Sequence, residues 1–261
     1  MKPLLHFSHA NGYPAKSYTK LFSLLEPDYD IGYIEKHAHN PNYPIENNWE
    51  KLVQELIDFV HHNYTSPVIG VGHSLGGMLT FKAAYKAPEL FKHVIMIDAP
   101  VLSRPSSLGV QLLKKLGYLE HVTPGKRTKQ RKSTWSSRKD ALRHFETHPV
   151  YKYWDKECLQ DYITYGTQTA NDGSCALSFL PENEYSIYIT IPDNLYHISS
   201  YPLPLTVIYG ERNSVINTMD MKSMQKKLGA TFVKAKGGHL LPFEHPIETA
   251  QLLHEIIQKQ A

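Results

Sequence analysis

Short apolar runs recur along the chain, separated by longer stretches with helical spacing. Leu4 to Phe7, Ile31 to Ile34, Val68 to Val71, Val94 to Ile97, Leu205 to Tyr209 and Thr231 to Lys234 read as buried strands, rich in β-branched and large apolar residues. Between Ile45 and His62 the apolar positions are Trp49, Leu52, Val53, Leu56, Ile57 and Val60, which puts them on one face of a helix, with the Trp49 side against the sheet. Tyr18 to Leu25, Met78 to Ala87, Met219 to Leu228 and Ile247 to Gln260 read as further helices, the third stopped by Gly229. Apolar strands alternating with helices predict an α/β fold, a mostly parallel sheet with helices on both faces.

From Ala99 to about Pro204 that rhythm breaks. The stretch is rich in Tyr, His, Pro and basic residues, with helical patches at Ser107–Leu116, Ser137–Thr147 and Asp155–Tyr165. We read it as a largely helical cap inserted into the core: residues 1–99 and 205–261 form the core domain and 100–204 the cap. Tyr151, Tyr153, Trp154, Tyr162 and Tyr165 are read as the cap's own core, with some of its aromatics roofing the site.

The 261 residues suffice for one domain with an insertion. The net charge is only +3, and the excess falls between residues 101 and 200, which gives no general case for nucleic acid. The run Lys126 to Lys132 is read first as a solvated loop, and second as a docking patch for a phosphate or carboxylate. No apolar run is long enough for a transmembrane helix, and the segment after Met1 is too short in apolar residues for a signal peptide. Cys158 and Cys175 form no C-x-x-C pair and read as free thiols, so the expected location is cytoplasmic. His144 and His148 are four apart, but His-Phe-Glu-Thr-His has its Glu out of place for a zinc hydrolase. No metal or organic cofactor is expected.

The chemistry concentrates in Gly72-His73-Ser74-Leu75-Gly76-Gly77, between the strand ending at Val71 and the helix from Met78. Strand, sharp turn and helix with Ser at the apex make a nucleophile elbow, whose tight backbone demands tiny residues two before and two after the Ser. Serine needs a base, and His239 in Lys236-Gly237-Gly238-His239 follows the last strand on the same sheet edge. An oxyanion would take the Leu75 N–H and a second amide from Ser8-His9-Ala10-Asn11-Gly12, either Ala10 or Asn11, of which we favour Asn11.

These three motifs in this order resemble the α/β-hydrolase fold family, over residues 4–100 and 205–261. The resemblance implies a Ser–His–acid triad and a serine hydrolase that cleaves small or medium acyl compounds, most simply carboxylic esters, through an acyl-enzyme. Three features depart from the family pattern. The first strand begins almost at Met1, so the two N-terminal strands common in the family are expected to be absent. Ala10 stands where the family more often has Gly. The usual acid slot, after Leu205–Tyr209, reads Gly210-Glu211-Arg212-Asn213-Ser214. Asp98, at the end of the strand after the elbow helix, is therefore the first candidate for the acid and Glu211 the second. Thioesterase, lactonase and C–C bond hydrolase activities stay open. So does a ligand-binding protein on this fold with weak or no turnover. The partner expected is a small-molecule acyl substrate, with neither nucleic acid nor membrane, and a homodimer stays open.

Overall fold

In the computed structural model, which describes residues 2–259, six strands form one parallel sheet. In chain order they and the helices between them are β1 (Leu4–Ser8), α1 (Thr19–Leu25), β2 (Asp30–Tyr33), α2 (Glu50–Asn63), β3 (Val68–His73), α3 (Leu75–Lys86) and β4 (Phe91–Ile97). The chain then leaves the sheet through α4 (Arg104–Lys115), α5 (Leu119–Val122), α6 (Gly125–Gln130), β5 (Thr134–Trp135), α7 (Arg138–Thr147), α8 (Lys156–Tyr165), β6 (Thr167–Thr169), β7 (Cys175–Leu177) and α9 (Pro181–Ile189). It returns as β8 (Leu205–Gly210), α10 (Thr218–Leu228), β9 (Thr231–Ala235), α11 (Leu241–Glu244) and α12 (Pro246–Gln258). The sheet order is β2-β1-β3-β4-β8-β9. The closing helix thus ends at Gln258, and Gln260 lies outside the described residues.

Alternation along the strands divides the core in two. Leu5, Phe7, Ile69, Val71, Ile95, Ile97 and Ile208 pack on one face with Leu21, Leu253 and Ile257. Val68, Val94, Met96, Leu205 and Val207 pack on the other with Leu56, Leu79 and Met224. On that second face β3 carries Gly70 and Gly72, which lets α3 press onto the sheet. A Cβ on Gly72 would lie 2.3 Å from the Gly76 carbonyl oxygen, and one on Gly76 would lie 2.0 Å from that of Ser8. Neither glycine can become alanine without moving the turn between them.

The insertion corrects three expectations. Its aromatics do not form a separate core: Tyr151, Trp154 and Tyr162 join the cluster of the first sheet face. Trp154 stacks on Phe243 of α11, with ring centroids 4.1 Å apart and planes 7° from parallel. Tyr153 and Tyr165 are exposed instead. Residues 126–130 are helical, as part of α6, rather than loop. A three-stranded antiparallel sheet, β5-β7-β6, had no recognised sequence pattern, because its strands are two or three residues long. Cys158 and Cys175 are free and buried. Among the described residues no helix is long and apolar enough to cross a membrane.

Candidate active site

Ser74 sits between β3 and α3 with φ 54° and ψ −114°. That conformation is strained for a residue with a Cβ, and it persists because the surroundings impose it. The amides around it show how. Ser74 N–H donates to Ile97 O at 2.9 Å and Gly76 N–H donates to His9 O at 3.1 Å, tying the turn to the ends of β4 and β1. Between them Leu75 opens α3, where helix N–H groups lack intrahelical acceptors and the dipole is positive.

The loop after β1 is fixed with equal care. The Ala10 carbonyl accepts Tyr13 N–H at 3.1 Å in a turn whose third residue, Gly12, has φ 85°. The buried His9 ring contacts the same carbonyl through Nδ1 at 2.8 Å, while its Nε2 accepts His37 N–H at 2.8 Å. Since Nε2 is the acceptor, Nδ1 carries the proton and donates. Burial holds the His9 ring neutral, with its pKa lowered to about 4. The Ala10 N–H donates to the Tyr18 hydroxyl at 3.2 Å. So Ala10's amide is engaged. The carbonyl half of the Ala10–Asn11 peptide is pinned, which aims the trans N–H of Asn11 the opposite way. Ala10 and Asn11 both line the cavity onto which Ser74 opens.

His239 lies in the turn between β9 and α11. Gly237 there has φ 106°, and Gly238 N–H donates to the Glu244 carboxylate at 2.9 Å. The His239 side chain is 28% exposed, on the same cavity as Ser74, and its Nδ1 lies 2.6 Å from Asp98 Oδ2. Asp98, fully buried with φ 43°, ends the strand beside the elbow. Its Oδ1 accepts the Ser214 hydroxyl at 2.5 Å and its Oδ2 also accepts Val215 N–H at 3.1 Å. Burial alone would raise the Asp98 pKa. The His239 ring, with help from Ser214 and Val215, outweighs it and holds the carboxyl below its usual range. Glu211 is exposed, and its N–H serves β9 by donating to Ala235 O at 3.0 Å. Ser214, one of the two residues expected in the usual acid slot with Asn213, is thus a donor to the carboxylate one strand away.

The sequence reading missed His73. Its ring is buried and neutral, with its pKa lowered to about 3 by burial. Nε2 lies 2.8 Å from the His239 carbonyl oxygen, so it donates there, and Nδ1 accepts from the Tyr18 hydroxyl at 2.8 Å. One chain of hydrogen bonds therefore runs from the Ala10 amide through Tyr18 and His73 to the main chain of His239. Nothing local distinguishes this histidine except its place directly before the elbow serine.

The cavity over Ser74 has a volume of about 490 Å³. Its floor is Ala10, Asn11, Ser74, His239 and Leu240, and its roof comes from the insertion, including Arg127, Arg131, Phe145, Tyr151, Glu184 and Tyr188. The basic run read as a solvated loop therefore faces the cavity on one side. His144 and His148 line it as well, with ring centroids 6.0 Å apart.

A family model described as alpha/beta hydrolase fold matches residues 48–246. A probable alcohol acetyltransferase of Cyberlindnera fabianii is 22% identical over 253 residues, covering 94% of this chain and 65% of that protein. The type I acyl-CoA thioesterase mpaH of Penicillium roqueforti is 27% identical over 121 residues, 45% of this chain and 26% of its own length. This chain thus spans less than two thirds of either relative. Among solved structures, the peroxisomal alpha-beta-hydrolase Lpx1 of Saccharomyces cerevisiae superposes with a TM-score of 0.77 at 14% identity, covering 99% of this chain and 77% of that one. At that identity the likeness is one of fold.

Proposed function

The chain belongs to the α/β-hydrolase fold family, and from that premise we propose that it is a serine hydrolase cleaving a small or medium acyl ester through an acyl-enzyme. The 2.6 Å contact of His239 Nδ1 with the buried Asp98 carboxylate, on a cavity shared with Ser74, carries this reading. With Asp98 bound to Nδ1, the free Nε2 of His239 is the base. It takes the Ser74 proton as Oγ attacks the acyl carbonyl and returns it to the leaving group. Asp98 holds the ring's orientation and stabilises the imidazolium. The N–H groups of Leu75 and Asn11 receive the developing oxyanion. Water activated by His239 then releases the acid and frees Ser74. No metal or organic cofactor takes part in these steps.

A thioester is the second reading, favoured by the name of the thioesterase relative. A fluorophosphonate probe tests the common mechanism. The wild type is labelled and Ser74→Ala is not, and Ser74→Ala loses about 10⁶-fold in turnover. An unlabelled wild type at every pH would leave a ligand-binding protein as the better account. Ester and thioester substrates with one acyl group then rank the two readings by kcat/KM.

A further inference from the structure

The roof of the cavity carries a charge pattern that an unbranched neutral acyl chain does not call for. Arg127, Arg131 and Lys132 line it, against Glu184 as the one carboxylate of that lining. Arg127 and Lys132 are exposed, at the solvent side. The Arg131 side chain is only 23% exposed, and Nη2 pairs with the Glu184 carboxylate. Tyr162 lies beside the same guanidinium, and Tyr13 and Tyr151, which line the cavity with it, act on its charge from nearby. A guanidinium has five N–H donors, and one carboxylate does not satisfy them all. Arg131 Nε is buried without an acceptor.

Glu184 also fixes where this cation stands. Its carboxylate packs on Gly12, where a Cβ would come within 2.9 Å of Glu184 Cδ, and it accepts the Thr128 hydroxyl at 3.3 Å. Its main-chain oxygen accepts the Asn11 side-chain amide at 3.0 Å. Arg131 is therefore tied, through Glu184, to the loop whose Asn11 N–H is assigned to the oxyanion. Burial works against the Arg131 cation, but Tyr162, Glu184 and the neighbouring tyrosines outweigh it, so the guanidinium stands at the cavity as a held charge. An incoming carboxylate would accept charge-assisted hydrogen bonds from the guanidinium N–H groups that face the cavity. The exposed Arg127 and Lys132 would raise its local concentration at the mouth.

We propose that this roof is an anion subsite and that the acyl part of the substrate ends in a carboxylate held by Arg131. The proposal rests on the serine-hydrolase reading above and names the substrate class of that site. The deep position of Arg131 assigns the anion to the acyl side, since a phosphate-bearing leaving group would meet the exposed Arg127 and Lys132 first.

The test compares kcat/KM for 4-nitrophenyl hexanoate and for the 4-nitrophenyl monoester of adipic acid, which share chain length and leaving group. The wild type prefers the carboxylated ester. Arg131→Gln with Glu184→Gln removes the pair together, so no buried charge is orphaned, and lowers that preference roughly 10–100-fold. Arg131→Lys keeps the charge but not the planar guanidinium with its several donors, and lowers it several-fold; it is the decisive variant if the double one does not fold. A wild type without the preference, or a preference unchanged in the variant that folds, overturns the proposal. Hexanoyl-CoA separates the two sources of anion: if the variants lose rate only there, the anion belongs to the leaving group and the acyl assignment is wrong. Fluorophosphonate labelling, run in parallel, isolates the underlying reading. Labelling with no change in preference sinks the subsite alone, whereas an unlabelled wild type sinks the hydrolase itself.

Discussion

The floor and the roof of the cavity are built by different means. On the floor, Ser74 and Asp98 hold positive φ angles, and the amides and carbonyls beside them are bonded to neighbouring strand ends. On the roof, α6 has six residues, starts behind Pro124 without a side-chain cap, and carries exposed Lys126, Arg127 and Lys129. The floor is held by main chain wedged between parallel strands, the roof by side chains resting on short helices. Preorganised dipoles and bases lower barriers only when they do not have to reorganise, so the reaction machinery belongs on the stiff side. Choice among substrates tolerates the softer one. Replacing floor atoms is therefore expected to cost rate on every substrate, and replacing roof atoms to change which substrate is preferred.

The strongest way to break this contrast is Asp98→Asn. A neutral amide neither stabilises the imidazolium nor selects the right His239 tautomer, so turnover falls roughly 10³–10⁴-fold on neutral and anionic esters alike. Glu211→Gln, on an exposed side chain, stays within about twofold. Steady-state kinetics on one nitrophenyl ester decide it, and reversed results would move the acid to Glu211.

The same contrast explains what could be read from the residue string. Strands β1, β3, β4 and β8 are apolar because both faces of a parallel sheet are covered, and such runs need no tertiary information to recognise. The elbow was legible because its steric demand falls on two positions, Gly72 and Gly76. The strand-end position of Asp98 was legible, but its contact with His239 and with Ser214 was not: a neutral residue after β8 looked like a loss, and only the approach of β4 to that loop makes it a donor to the carboxylate. In the insertion, α5, α6 and α9 escaped notice. Four- and six-residue helices show too little periodicity, and Pro181 to Ile189 distributes its apolar residues without a dominant face. A run of lysines and arginines also states polarity without direction, so the string left open both a solvated loop and a patch for an anion, and only the fold turns one side of the run to the cavity.

Tyr18→Phe sharpens the contrast at a smaller scale. It deletes the hydroxyl that joins the Ala10 amide to His73, leaving a buried N–H and a buried ring nitrogen without a partner. Stability falls by about 1–3 kcal/mol in urea unfolding. Since the hydroxyl connects both halves of the floor, kcat falls several-fold equally on hexanoate and adipate esters. A change in the ratio of the two, with kcat intact, would instead couple Tyr18 to the roof.

The smallest effect is expected behind the floor, where Glu55 on α2 faces the buried His37 at 4.0 Å. His37 is held well below its ordinary pKa by burial, with His9 and His6 adding to the effect, so it offers no cation. Burial raises the Glu55 pKa to about 7, against a smaller lowering by Asn40. The folded state therefore keeps a proton that the unfolded chain gives up at an ordinary carboxyl pKa, near 4.5. Below that pH both states are protonated and nothing is lost. As pH climbs towards 7 only the unfolded chain ionises, so stability declines, and above 7 the penalty is constant. Glu55→Gln removes the titration. Its stability relative to wild type should rise by roughly 1–2 kcal/mol between pH 4.5 and pH 8, a discounted figure because the site is not wholly dry. Urea unfolding of both proteins across that range measures it. If the two stability curves run parallel, Glu55 ionises normally in the fold and is not held protonated beside His37.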